Sequence, residues 1–405
     1  MSRLTIIFLT VFIDLIGFGI VLPLLPFYAT DFGADPVVIG VIVAVHPAMQ
    51  FLFGPVWGRL SDRIGRRPVL LLGLVGSGLS YLLFGLATNL TWLFASRLLQ
   101  GIAGANIPVA QAYIADSTDL ENRTRGMGLV GAAFGLGFIA GPAIGGVLVN
   151  FGYAAPGFFA AALSLVNAGA AFFYLPESLS PEARAAVERD EAPGLLGRLK
   201  LAAAFGRNPA IGTLMAIFLL ATFVFAAFTT VFPLWIGVKL DYDAQHAGYL
   251  MAYLGLLMAI VQGRMIGPMA RRFGERRLLV VGTTVLILGY ALMPLADTLA
   301  VLCAVLVLIA LGSGLNWPTA TSLASQHAPI DRQGGVLGVM QSLSALGRML
   351  GATWAGWVFG TWQPATPFTM SAVIMSLAAA FAIVFMIKAP APQAAQADPV
   401  APTAV

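Results

Sequence analysis

Asp14, in F-I-D-L-I-G-F-G-I-V-L-P, is the one acidic residue set deep in a long apolar stretch. It lies nine residues into that stretch. At a helical rise of about 1.5 Å per residue, this is roughly 13 Å deep, near the middle of a bilayer. A carboxyl there is costly and marks a functional site by default. Burial and a neighbouring cation pull its ionisation in opposite directions, which suits reversible proton carriage. The rival reading is a structural acid held permanently by an arginine. Arg97, in A-S-R-L-L-Q-G-I-A-G-A-N, lies at a height from which its long arm reaches Asp14 if the two helices are adjacent. Arginine keeps its proton, so Arg97 would tune a proton site or brace two helices. Arg348 is the other cation at depth, with no acid at depth in the second half of the chain. An anionic substrate group, backbone carbonyls and Asp14 are its open partners. His46, just before Pro47, titrates near neutrality in principle, although a lone histidine at depth is more often a packing residue. Gln100, Gln111, Asn167, Gln262, Asn316 and Gln341 add polar groups expected to line a cavity. The chain has no G-x-x-x-x-G-K-[ST] phosphate loop, no metal-ligand cluster and no nucleophile triad. The expectation is therefore no metal and no cofactor, with protons as the coupling ion, and no enzyme.

The elements that must hold these residues are membrane spans. Of 405 residues, 59% are hydrophobic and 10% charged, against about 25% charged in a soluble domain. Mean hydropathy is +0.88. Twelve apolar segments are long enough to cross a bilayer as helices: roughly 5–28, 37–58, 69–88, 91–115, 125–148, 156–176, 209–237, 245–269, 278–296, 298–324, 335–360 and 367–388. The first lacks a small-residue cleavage site and reads as a retained span rather than a signal peptide. The single cysteine, Cys303, permits no internal disulfide.

Residues 177–208 are polar and charged and read as a linker between two six-span halves, 1–176 and 209–388. The part from Gly194 to Gly206 is amphipathic, as for a surface helix. The Ala/Pro-rich tail 389–405 is expected to be disordered. Basic residues fix the orientation. With the N-terminus inside, 19 of the 22 Lys and Arg fall at inner positions; only Lys239 lies in an outer loop, and Arg97 and Arg348 lie within spans. That asymmetry puts both termini in the cytoplasm. Much of it sits in G-R-L-S-D-R-I-G-R-R-P (58–68), a short basic turn between spans.

The chain also repeats itself. A shift of 209 or 210 residues maps Gly54, Gly58 and Gly65 onto Gly263, Gly267 and Gly274. It maps G-A-N-I-P-V-A onto G-L-N-W-P-T-A, Pro23 onto Pro233, and Gly128, Gly137 and Gly141 onto Gly338, Gly347 and Gly351. Two parallel six-span repeats place a substrate site near the midplane between them. The fifth segment carries Gly128, Gly137, Gly141-Pro142 and Gly145-Gly146. Small residues let helices pack closely in lipid, and Pro142 removes a backbone donor and permits a bend.

Gly58, Asp62, Arg63, Gly65, Arg66 and Arg67 meet every position of G-x-x-x-D-R-x-G-R-R. That pattern resembles the signature loop of major facilitator superfamily transporters. The fifth-span spacing is similar to the antiporter signature of that superfamily's drug/proton exchangers. Arg97, Gln100, Gly101 and Gly104 resemble a motif that the family ties to proton transfer. The resemblance covers 1–388 and is greatest to the twelve-span antiporters that include the tetracycline efflux pumps. It implies an all-α membrane fold of two pseudo-symmetric six-helix bundles in a bacterial inner membrane. It also implies proton-coupled efflux of small lipophilic or amphipathic compounds, with Asp62 and its arginines latching the inner side. On this reading Asp14 and Arg97 couple protons, and His46, Gln100, Asn316, Gln341 and Arg348 face substrate. The expected partners are that substrate and membrane lipid, with no nucleic acid, for a monomer. Two departures stand out. The resembled pumps carry acids in the third and ninth spans, where this chain has Ser80 and the pair Thr283 and Thr284, and their eighth-span histidine is Met258 here. These point away from metal–tetracycline as the substrate. A symporter or facilitator of a metabolite, or a receptor derived from a transporter, is the rival function.

Overall fold

The computed structural model describes residues 3–104, 106–118, 120–179, 195–329 and 332–389. Within them the chain is helical, without strands. Ten of its helices are long and apolar enough to cross a membrane. The fourth and eleventh expected spans fall outside that ten for different reasons. The fourth is broken into Leu90–Ala103 and Asn106–Ser117. The eleventh, Gln333–Thr361, is one unbroken 29-residue helix diluted by glycine, serine, Gln341 and Arg348. With these two the chain is a twelve-span protein of two six-helix bundles. The tail expectation lies outside the described residues. So does the middle of the linker, 180–194; its described part holds the helix Leu195–Gly206. Phe205 of that helix packs with Ile211 and Leu214 beneath the second bundle.

Helix ends follow local chemistry. Asp35 accepts from the Val38 amide at 2.8 Å ahead of Pro36, and Asn208 accepts from the Ala210 amide at 3.0 Å ahead of Pro209. Both are side-chain caps on otherwise orphan amides. Pro23 splits the first span into Arg3–Val21 and Leu25–Asp31. The basic stretch is less of a loop than its sequence suggests. The second span runs to Ile64, so Gly58 to Ile64 is helix and the turn is Gly65 alone, at φ 110°. Gly274 makes the equivalent turn at φ 80°. A single-residue reversal of this kind needs the backbone freedom of glycine.

The sequence repeat is a repeat in space. Gly137 packs on Leu15 of the first span, and Gly347 on Leu219 and Thr222 of the seventh. Arg67 lies over the Phe172 ring at 5.3 Å and Arg276 over Phe385 at 5.6 Å.

The halves meet along two helix pairs, the second span with the eleventh and the fifth with the eighth. On the side away from the basic turns, the far face, backbones touch. A methyl built on Gly40 would sit 2.7 Å from the Ala352 carbonyl and 3.0 Å from Gly356 Cα. On Gly248 it would sit 2.7 Å from the Pro142 carbonyl and 2.8 Å from Gly146 Cα. Eighteen residues, or five turns, from Gly40, Gly146 and Gly356, the same helix faces carry Gly58, Gly128 and Gly338. Each of these has nothing within 4 Å. The seam is therefore closed at the far face and parted at the basic face. The eighth span holds a π-helical turn, Val261–Met265, between Ala244–Ile260 and Ile266–Phe273. Its extra residue brings Gly267, nineteen residues from Gly248, onto the seam face.

Candidate functional site

Asp14 projects from the first span against Asn106 and Ser77. It makes no ion pair with Arg97. Tyr81 of the third span is electrostatically close to both. The carboxyl is also not fully hydrogen-bonded: Asp14 Oδ1 and both polar atoms of Asn106 are buried without a partner. The repeat explains the idle asparagine. In the second half Asn316 donates to Thr283 Oγ1 at 2.9 Å. The position of Thr283 corresponds to Gly73, 210 residues earlier, which has no side chain to offer, and Asn106 lies directly over it. Asn106 is thus left to face Asp14. Val224 holds the position corresponding to Asp14, so only the first half carries the acid.

Arg97 is 3% exposed and lies over the Phe84 ring at 5.5 Å. Its Nε reaches Ser96 Oγ at 3.4 Å, and its Nη2 is buried without a partner. Two residues expected on the cavity wall sit instead inside the bundles. Gln100 is 3% exposed and donates to Tyr81 OH at 2.7 Å; Asn316 is wholly buried against Thr283. Asn167 likewise ties the sixth span to the Thr10 carbonyl at 2.8 Å. Gln341 is exposed, two turns from Arg348 on the eleventh span.

Arg348 reaches across the seam. Its Nη1 donates to Ser344 Oγ at 2.8 Å and its Nη2 to Gln50 Oε1 of the first half at 3.1 Å. Gln50 in turn donates to the Gly104 carbonyl at 3.2 Å. That carbonyl is free because Pro108, four residues on, has no N–H to give it. Trp57 donates to the Ile102 carbonyl of the same break. The second span thus holds open the gap in the fourth. Neither Gln50 nor Trp57 stood out in the sequence. The available signal was a lone amide one turn from His46 on an apolar helix. His46 lies where it feels both Arg97 and Arg348. Its ring is 5.4 Å from Phe18, which is one turn from Asp14.

The profile of the Major Facilitator Superfamily matches residues 7–267 and 265–403. This chain belongs to that superfamily. Class C tetracycline resistance protein of Escherichia coli is 34% identical over 376 residues, covering 89% of this chain and 93% of that protein. Multidrug resistance protein 2 of Bacillus subtilis (strain 168) is 30% identical over 355 residues, 86% of each. Among solved structures, the human organic anion transporter MFSD10 (TETRAN) superposes with a TM-score of 0.71 at 26% identity, over 94% of this chain and 98% of that one.

The superfamily's signature residues form one network at the basic face. Arg66 pairs with Asp62 and, at 2.8 Å, with Asp116, and also donates to Ser61 Oγ at 2.8 Å. Glu177 accepts from the backbone amides of Arg66 at 2.9 Å and Arg67 at 3.2 Å, capping the third span. Arg63 is exposed beside this cluster. None of these contacts reaches the second half, as fits a seam parted at this face. The second half inverts the polarity: Glu275 accepts from Ser322 at 3.0 Å and Gln326 at 3.0 Å. The fifth-span signature is a two-sided packing surface. Gly137, Gly141 and Gly145 press on Leu15, Gly19 and Ile20 of the first span, beginning one residue from Asp14. Gly146 presses on Gly248 of the other half.

Proposed function

We propose that this transporter is a proton-coupled antiporter that exports small lipophilic or amphipathic compounds across a bacterial inner membrane. On this reading the basic face is cytoplasmic, with both termini, and the present conformation is open to the cytoplasm. It acts as a monomer, without a cofactor. The observation that carries the reading is Asp14: an acid at depth, partly accessible, with no cation of its own and an idle asparagine beside it. A carboxyl without a fixed partner can trade a proton for a substrate, where a salt-bridged one cannot.

The fifth span supplies the link to movement. One face of it lies on the first span next to Asp14, the other on the eighth span across the seam. Rocking the halves must shift the backbone against which Asp14 sits. In the opposite state, Gly58 and Gly338 meet across one helix pair, Gly128 and Gly267 across the other, and Asp62 comes within reach of the second half. The names of the tetracycline and multidrug relatives support drugs as cargo. Ser80 and the pair Thr283 and Thr284 in place of acids argue against metal–tetracycline as that cargo.

The test is counterflow in proteoliposomes under an imposed pH gradient, with a dye and antibiotic panel that includes tetracycline. Exchange of a compound against protons, abolished in Asp14→Asn, is expected. Flux that ignores the gradient overturns antiport, and inward movement with the protons favours a symporter.

A further inference from the structure

We infer that Gln50 and Arg348 form the pivot on which the two halves rock: a polar contact at the middle of the seam that persists in both states while the ends of the seam close in turn. This goes beyond the antiport reading above and rests only on its alternation between two states.

The pair sits at the midpoint of the second-to-eleventh-span seam. On the second span the seam is closed at Gly40 and parted at Gly58; on the eleventh it is closed at Gly356 and parted at Gly338. Gln50 is ten residues from Gly40 and eight from Gly58, and Arg348 is eight from Gly356 and ten from Gly338. Each is therefore one residue from the middle, and the two are offset in opposite directions. At about 1.5 Å per residue, the lever arm of the pair is about 1.5 Å, against roughly 13 Å at the glycine ends. Ends that part by several ångströms thus move the pair by about 1 Å or less, which a hydrogen bond can follow.

The chemistry suits a joint that turns without letting go. Arg348 Nη2 donates to Gln50 Oε1 at 3.1 Å, and Gln50 Nε2 donates to the Gly104 carbonyl at 3.2 Å. The amide has one workable orientation, because reversal would set its N–H groups against the guanidinium and its oxygen against the carbonyl. The guanidinium presents a planar fork of donors, so it can tilt and still reach the same oxygen. A bond from a charged donor is also roughly twice as strong as a neutral one. Both bearings are firm. Behind Gln50 the fourth span presses on the second, where a methyl built on Gly101 would sit 2.5 Å from the His46 carbonyl. Behind Arg348, Ser344 Oγ accepts from Nη1 at 2.8 Å, and Gly347 and Gly351 press on the seventh span. The first-half bearing is the gap in the fourth span, two residues from Asn106, the neighbour of Asp14.

The test reads distances on the purified full chain in a Cys303→Ser background and needs no cargo. Spin labels go on cysteines at Leu52 and Leu350, both exposed and each two residues beyond the pair. A second sample carries them at Phe173 and Phe273, exposed at the basic-face ends of the halves. Gly40→Val crowds the closed far face, and Gly128→Val crowds the basic face when it closes. Between these two variants the Phe173–Phe273 distance should change by several ångströms, and the Leu52–Leu350 distance by no more than about 2 Å. A middle that moves as far as the ends overturns the pivot and leaves alternation standing. Ends that do not move remove alternation, and the pivot with it. A swap supplies the second arm. Gln50→Arg sets two guanidiniums against each other and should lengthen the Leu52–Leu350 distance. Adding Arg348→Gln leaves one guanidinium, now on the second span, to serve both the Gly104 carbonyl and the new amide, and should restore the wild-type distance. If Gln50→Arg does not fold, recovery of folded protein in the double variant is the same rescue. A double variant no better than Gln50→Arg alone overturns the pivot.

Discussion

Gly40→Val should drive the protein out of the conformation described here. The wild-type seam at that point is backbone on backbone. A methyl would lie 2.7 Å from the Ala352 carbonyl and 3.0 Å from Gly356 Cα, where ordinary contact begins at 3.4 Å. Neither neighbour is a side chain that can swing away. Overpacking of this kind costs about 1–3 kcal/mol, and about 1.4 kcal/mol is tenfold in an equilibrium. The far-face-closed state should thus lose roughly five- to hundred-fold against its opposite. Gly128→Val is the mirror experiment. That position has nothing within 4 Å now, so the present state tolerates it, while closure of the basic face does not. Spin labels on cysteines at Phe173 and Phe273, exposed at the basic-face ends of the two halves, report the separation in a Cys303→Ser background. Gly40→Val should shorten it, Gly128→Val should hold it long, and both should stop transport. Unchanged distances in Gly40→Val would refute the assignment of the seam.

Other outcomes follow from single contacts. Gln50→Leu removes the donor to the Gly104 carbonyl and the acceptor of Arg348, and should cost about 1–3 kcal/mol, read as an early thermal melt. Glu177→Ala uncaps the third span and should cost about 1 kcal/mol, with faster amide exchange at Arg66 and Arg67. Gly73→Ala pushes Asn106 off its seat and should uncouple protons from substrate with normal membrane expression. At the far face, burial pushes the Asp243 carboxyl up, but bonds from the His246 amide at 3.0 Å and ring at 2.6 Å outweigh it and hold the group low. A lowered carboxylate stabilises above its unfolded value of about 4 and loses that contribution as pH falls through the folded one. Amide protection at His246 should therefore fall away in acid, and Asp243→Ala should lack it at every pH.

The spans, the basic face and the repeat were legible because apolar length, arginine placement and a constant offset are properties of the string. Depth was legible too, which is why Asp14, Arg97 and Arg348 stood out. What a string does not carry is the rotation of one helix about another. Arg97 and Asp14 were read at one height, yet they make no ion pair, and Tyr81 of the third span is electrostatically close to both. The fourth-span break was hidden for a different reason. G-A-N-I-P and G-L-N-W-P read alike, but Leu299–His327 stays continuous through Pro318. Gln50 and Trp57 satisfy the carbonyls freed in the first half. The corresponding positions, Ala259 and Ile266, have no side-chain donor to offer.

The central claim is that one group, Asp14, takes either a proton or substrate. Proton release on substrate addition to purified protein, followed with a pH indicator in weak buffer, tests it most directly. Wild type should release protons on binding, and Asp14→Asn should bind and release none. Equal release from the variant would place the exchanging proton elsewhere and contradict the account.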